Sequence, residues 1–337
     1  MTANNNQPII LTGDRTTGPL HLGHYVGSLR NRVALQNSHR QYLLLADSQA
    51  MTDNADNPEK VRKNVLEVAI DYLAVGIDPN KTIICVQSCL PALAELTVLY
   101  MNYVTVARLE RNPTVKQEVL QRGFQRDIPA GFLCYPVAQA ADISAFKANI
   151  VPVGEDQLPM IEQCNEIVRR INRQTGQDIL IEARPIVPNI GRLPGIDGRS
   201  KMGKSAGNAI SLSSSPEEIS HAVRMMYTDP NHLRVNDPGR VEGNVVFTYL
   251  DAFDESPEEV EDLKKQYALG GLGDAVLKRR LDSRLQSILE PIRERRNAIA
   301  AQSDYVMDIL REGTRSAHGI TQKTCDEVRQ GLGLFCF

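Results

Sequence analysis

Tryptophan is missing altogether from this 337-residue chain, and aromatic residues make up only 5% of it, as 10 Tyr and 7 Phe. An average composition would supply roughly one Trp per hundred residues. A charge excess is missing too. Lys and Arg number 38 against 41 Asp and Glu, a formal net charge of −3. That excludes a polycation that coats nucleic acid indiscriminately, so any nucleic-acid site has to be a local patch. The six cysteines (Cys85, Cys89, Cys134, Cys164, Cys325 and Cys336) include no C-x-x-C pair. Neither a zinc ribbon nor a small disulfide framework is indicated, and reduced cytoplasmic thiols are expected. Met1 to Gln7 carries no basic residue and leads into a three-residue apolar run, so a secretory signal is not expected. No window has the apolar length of a membrane span, and no membrane partner is expected. What is there suits a folded globular protein of about two domains: 42% hydrophobic and 23% charged residues, with 23 Gly and 18 Pro.

Short apolar runs at Pro8 to Thr12, Tyr42 to Ala46 and Thr82 to Gln87 read as buried strands. Helical patterns lie between them. His21 to Gln36 places Tyr25, Val26, Leu29 and Val33 on one face, and Pro58 to Val75 opens on Pro and stops at Gly76. Further helices are expected at Pro91 to Ala107 and Pro136 to Lys147, then a strand at Ile150 to Val153 and a helix ending near Thr175. Runs without polar alternation, joined by helical crossovers, predict an α/β fold: a doubly wound parallel-sheet, Rossmann-like nucleotide-binding domain. From Glu182 to Asn208 three Pro and five Gly with little periodic apolarity predict a long loop of functional type. Beyond Ser215 the pattern is helical throughout, with Leu277, Leu281, Leu285, Ile288 and Ile292 at helical spacing. The expected division is a catalytic domain over 1–208, with a C-terminal helix over 301–337 packed back on it, and an all-helical second domain over 209–300.

Two segments carry chemistry. Thr12-Gly13-Asp14-Arg15 and the run to His24 sit where the first strand hands over to the first helix, at the carboxyl edge of the sheet. Glycines there permit close backbone approach, a helix N-terminus favours phosphate, and His21 and His24 share a helical face. By itself this is equally an ordinary strand-to-helix turn, for it matches neither G-x-G-x-x-G nor the Walker pattern. The second segment, Lys201-Met202-Gly203-Lys204-Ser205, ends the long loop. Two lysines three apart are commonly a solvated charge pair. On a Gly-rich loop they also suit a reaction that develops negative charge on phosphate.

Together the two segments resemble the signatures of the class I aminoacyl-tRNA synthetases: His21-Leu22-Gly23-His24 for the first and Lys201 to Ser205 for the second. Tyr135 to Asp142 (YPVAQAAD) and Val151 to Gln157 (VPVGEDQ) are similar to the tryptophanyl branch, in its divergent second bacterial type, over about Ile9 to Leu332. The resemblance implies activation of L-tryptophan with ATP, carried as its Mg²⁺ complex and without protein metal ligands, followed by transfer to tRNA(Trp) by a homodimer. It implies that ATP meets Thr12, Gly13, Asp14, Arg15, Gly23, His24, Gly154, Glu155, Asp156, Leu193, Lys201, Met202, Gly203, Lys204 and Ser205. Catalysis is assigned by it to His21, His24, Lys201, Lys204 and Lys116. For tryptophan it implies Asp142, as acceptor of the indole N–H, with Gln157, Gln49, Gln139, Val151, Val153 and Leu11. The chain departs from the usual family pattern at Gln49 (His), Gln139 (Met), Leu11 (Phe) and Arg15 (Gln), all near the substrates. A protein that activates tryptophan yet contains none could be made when its own product is scarce.

Two other readings compete: a tyrosyl-tRNA synthetase, and a tRNA-free nucleotidylyltransferase or regulatory paralogue built on the same His-x-Gly-His chemistry. The helical region and the retained signature residues weigh against the last. Between Lys278 and Arg296 seven basic residues (Lys278, Arg279, Arg280, Arg284, Arg293, Arg295 and Arg296) face three acidic ones. That local excess suits phosphate contacts to tRNA, and equally a solvated helix with internal ion pairs.

Overall fold

The computed structural model describes residues 7–124, 127–187, 193–198, 202–203 and 207–335. Five strands form one sheet: β1 (Ile9–Asp14), β2 (Arg40–Leu45), β3 (Thr82–Val86), β4 (Ile150–Pro152) and β5 (Arg184–Ile186). Their order is β3-β2-β1-β4-β5, and every neighbouring pair is parallel. The chain steps outward from β1 through β2 to β3, then crosses back to set β4 on the other side of β1. Such a reversal opens a crevice at the carboxyl ends of β1 and β4. The doubly wound fold expected from the alternating runs is therefore present.

Helices follow in order. After β1 come α1 (Leu22–His24), a π-helical turn (Tyr25–Leu29) and α2 (Arg30–Leu35); after β2, α3 (Asp47–Ala50) and α4 (Pro58–Ala74). Between β3 and β4 lie α5 (Pro91–Met101), α6 (Val106–Glu110), α7 (Pro113–Arg122) and α8 (Ala130–Ala145), and α9 (Leu158–Thr175) leads from β4 to β5. The remainder is α10 (Pro216–Met225), α11 (Val245–Phe253), α12 (Pro257–Leu269), α13 (Asp274–Ala300) and α14 (Ser303–Gly331).

Four expectations for single elements differ from the structure. The one helix expected over Pro91 to Ala107 is two, α5 and α6, with residues 102–105 outside both. The loop expected from Glu182 begins with β5, an exposed three-residue edge strand whose Pro185 is tolerated because only one side of the strand is paired. The helix expected to open at Pro136 opens at Ala130, with Pro136 inside it. Residues 226–244, expected to be helical, are not, and Pro230, Pro238, Gly239 and Gly243 account for it.

The chain divides into two compact units: residues 1–18, 31–188 and 302–337 in one, and residues 19–30 and 189–301 in the other. The division expected at 208 thus falls twenty residues earlier, and the first helical segment after β1 goes with the helical unit. In the sheet unit, Tyr42, Leu44, Leu96, Val137 and Phe146 are fully or almost fully buried in one apolar cluster. Beneath the carboxyl end of β1, Arg32, only 2% exposed, donates to Asp14 at 2.6 Å, and the Tyr72 hydroxyl donates to the same carboxylate oxygen at 2.8 Å. The α14 helix packs on β3, α5 and α8. It comes close because Gly313 has no side chain: a Cβ there would stand 2.0 Å from the Ile84 carbonyl oxygen. Next to it Thr314 accepts a hydrogen bond from the Val86 N–H, satisfying a donor on the outer side of the edge strand.

In the helical unit, α13 buries Leu277, Leu281, Leu285, Leu289 and Ile292 and packs on α10 and α11. The Asp254 side chain, fully buried, receives two hydrogen bonds from Arg280 at 2.6 and 3.0 Å, with Arg284 at 3.7 Å. Among the described residues, no helix is long and apolar enough to cross a membrane.

Candidate active site

In the helical unit the two signature segments meet. His21 is the N-cap of α1, and its Nδ1 accepts the Gly23 N–H at 3.1 Å, while His24 Nδ1 accepts the His21 N–H at 3.3 Å. An imidazole whose Nδ1 accepts carries its proton, when neutral, on Nε2. Both rings are therefore held with Nε2 as a donor, their centroids 3.9 Å apart. Gly23 is required in this arrangement, because a Cβ there would lie 2.9 Å from His21 Nδ1 and 3.3 Å from the Met202 sulfur. Met202 is almost wholly buried, and its N–H is bonded to the Leu193 carbonyl at 3.4 Å. Gly203 N–H donates to Asn208 Oδ1 at 3.0 Å. An antiparallel bridge between His21 and Ser211, with Leu22 N–H on the Ile210 carbonyl, ties the end of the long loop to the histidines. Of the residues expected in catalysis or at ATP, His21, Gly23, His24, Leu193, Met202 and Gly203 thus belong to one constellation. Lys201, Lys204 and Ser205 lie outside the described residues.

In the sheet unit, Thr12, Gly13 and Asp14 end β1, and Arg15 follows. The Asp14 carboxylate is committed inward to Arg32 and Tyr72, so it does not set an uncompensated negative charge against a nucleotide. Arg15 pairs with Asp53, which also holds Arg122 at 2.7 Å. Burial, then the nearby Arg122 charge, lower the Arg15 guanidinium's proton affinity. Gly154 caps a short 3₁₀ turn (Glu155–Gln157) that runs into α9, placing a helix N-terminus after β4. Gln157 donates to Asp156 at 3.2 Å, and Thr114 hydroxyl to the Asp156 carbonyl at 2.6 Å. Lys116 is exposed on α7, two residues beyond Thr114.

The residues expected at tryptophan lie on β1, on β4 and the segment after it, on α3 and on α8. Leu11 and Val151 are buried in the main apolar cluster, with Val153 packed against it. Asp142, 5% exposed on α8, takes hydrogen bonds from the Gln87 amide on both carboxylate oxygens. Burial pushes it up to about 7, against the opposing effect of a hydrogen bond from Gln87. Gln139 lies one turn earlier on the same helix, half-buried. Gln87 was not found by sequence reasoning. A single Gln after a strand belongs to no spacing pattern, and only the fold sets it against α8. Its Nε2 donates to both Asp142 oxygens, at 3.0 and 2.8 Å, and its Oε1 accepts the Gln49 N–H at 3.0 Å.

The basic residues of α13 are less uniform than their spacing implies. Lys278 donates to the carbonyls of Arg224 and Met226 at 2.7 and 2.8 Å, closing the end of α10, and Arg293 donates to the Ser214 carbonyl. Arg280 and Arg284 are tied to Asp254, and beyond it to Glu259 and Glu255. Arg279 and Arg295 are exposed and Arg296 half-exposed.

Comparison with known proteins places this arrangement. The family model for class I tRNA synthetases (W and Y) matches residues 3–290. A tryptophan–tRNA ligase of Clostridium longisporum is 57% identical over 333 residues, 98% of each chain. One from Lactococcus lactis is 53% identical over 338 residues, 98% of this chain and 99% of the relative. Among solved structures, the tryptophanyl-tRNA synthetase of Campylobacter jejuni complexed with ADP and tryptophan is similar at a TM-score of 0.81 and 30% identity, over 97% of this chain and all of that one.

Proposed function

The chain belongs to the tryptophan–tRNA ligases, within the class I tRNA synthetases for tryptophan and tyrosine, and from that premise we propose which of its residues carry the reaction. It is a ligase that joins tryptophan to tRNA. In the first step a tryptophan carboxylate oxygen attacks the α-phosphorus of ATP, and the bond to the bridging oxygen breaks. Its electron pair leaves on pyrophosphate, which departs as the Mg²⁺ complex. The attacking group is already an anion at neutral pH, so no side-chain nucleophile or base is needed, and position and charge are what the protein supplies. His21 and His24 donate from Nε2 to ATP oxygens, Gly154 to Asp156 hold the nucleotide at a helix N-terminus, and Lys201, Lys204 and Lys116 neutralise charge passing to pyrophosphate. In the second step the 2′-hydroxyl of the tRNA's terminal adenosine attacks the adenylate carbonyl and AMP leaves.

Asp142 accepts the indole N–H, with Gln49, Gln139 and Gln157 beside it and Leu11, Val151 and Val153 forming apolar wall. The observation that carries the substrate assignment is this carboxylate, buried opposite a single neutral amide. An acceptor so placed favours a ligand that brings an N–H and penalises one that does not. Purified enzyme is expected to catalyse ATP–pyrophosphate exchange with tryptophan and not tyrosine, and then to charge tRNA(Trp). Exchange driven by tyrosine alone would overturn the reading.

The helical unit binds tRNA, and the basic residues of α13, with Arg279 and Arg295 exposed on its surface, support that reading. The enzyme acts in the cytoplasm as a homodimer. Val98 and Met101 on α5 and Val106 on α6, exposed by 62%, 41% and 60%, support a second copy on that face. Sedimentation at a mass near 37.4 kDa, that of one chain, would count against it.

A further inference from the structure

We propose that Gln87 is a specificity-positioning residue: its amide fixes Asp142 as a pure hydrogen-bond acceptor aimed at the indole N–H, and so sets the preference for tryptophan over isosteres without that donor. This rests on the assignment of Asp142 to the indole.

The orientation of the Gln87 amide follows from its two neighbours. Oε1 takes the Gln49 backbone N–H at 3.0 Å, and Nε2 faces both carboxylate oxygens of Asp142 at 3.0 and 2.8 Å. Rotating the amide by half a turn would set Nε2 against an N–H donor and Oε1 against a carboxylate, so both bonds would become repulsions. The backbone of α3 therefore decides which end of Gln87 meets α8. Two donor bonds fix the plane of the carboxylate and leave its remaining lone pairs for a ligand. Other ionisable groups around Asp142 do not compete. Cys85 on β3 and Cys164 on α9 are thiols whose ionisation burial opposes, Cys164 being pushed up to about 12. Among the described residues no cation pairs with Asp142.

Steady-state pyrophosphate exchange tests this in the full-length enzyme, with tryptophan and with its benzothiophene analogue, in which sulfur replaces the ring N–H. Gln87→Met keeps the length of the side chain and removes both bonds. It is expected to raise KM for tryptophan about tenfold or more, the range of a lost hydrogen bond to a charged group. The KM for the analogue should change less than about twofold, and KM for ATP should not move. The low-pH rise in KM for tryptophan should shift to higher pH, because a bond that favours the anion is gone. Gln87→Glu provides a second reading. A protonated Glu still donates to Asp142 and an ionised one repels it, so KM for this variant should rise with pH, opposite to the wild type. Equal change for tryptophan and its analogue, or an unmoved pH profile in both variants, would overturn the proposal. Asp142→Leu, which has no acceptor, separates the two levels. If it leaves tryptophan exchange intact, the indole assignment fails; if it abolishes exchange while both Gln87 variants match wild type, only the role of Gln87 fails.

Discussion

An Asp142 that titrates near 7 instead of near 4 binds its proton more tightly in the folded chain than in the unfolded one. Stability then falls as pH rises from about 4 to about 7, since the folded state must release a proton that the unfolded state has already lost. Burial makes the ionised carboxylate costly. Asp142→Asn should be more stable than the wild type at pH 8 by about 2–4 kcal/mol, with the gap closing towards pH 4, as denaturant titrations at the two pH values would show. An unchanged gap would mean that the group is not held up by burial. Gln49 holds Gln87 in place through its N–H, and Gln49→His is expected to change inhibition by indole mimics, measured as a shift in inhibition constant for tryptophan exchange. Legibility in the sequence divides along the same line. Asp142, His21 and His24 became candidates because motifs of fixed spacing carry them; Gln87 did not, since its partner is 55 residues away and only the fold brings them together.

Elements were legible where burial is one-sided or complete. Strands β1 to β3 announce themselves as uninterrupted apolar runs, and α9 by periodicity, ending at Thr175 with Gly176 in a left-handed cap. Strand β5 did not, being three exposed residues with Pro in the middle. The start of α8 was hidden for the opposite reason, a proline inside a helix rather than at its entry. The α14 helix was readable as a helix, but its seat on the sheet edge depends on Gly313, and close approach leaves no trace in hydrophobic pattern. Gly313→Ala would drive a methyl into a backbone carbonyl. A loss of about 1–3 kcal/mol is expected, read as a lower midpoint in thermal unfolding, and an unchanged midpoint would mean that α14 has room to shift.

At the scale of the molecule, composition said little about a nucleic-acid partner, because the charge nearly cancels. The local excess on α13 was visible, yet Lys278, Arg280, Arg284 and Arg293 also stitch the helical unit together. Replacing the two outer arginines, as Arg295→Ala with Arg296→Ala, is expected to lower the rate of tRNA charging at least several-fold at moderate salt while pyrophosphate exchange stays within twofold. Parallel losses in both assays would remove this surface from tRNA binding. The missing tryptophan becomes an experimental convenience here, for any indole emission from a mixture of protein and substrate comes from the substrate alone.

The α14 helix also gives the sheet unit a timetable. The unit is discontinuous in the chain, with more than a hundred residues of the helical unit made between β5 and α14. During synthesis all five strands leave the ribosome well before the helix that covers β3, and domains fold as they emerge. Until α14 arrives, the Val86 N–H has no Thr314 to bond and the edge strand stays open to pairing with another nascent chain. The helix that covers β3 is thus the one that ends this strand's exposure to aggregation, and truncation just before α14 should trap a chain that is still adhesive.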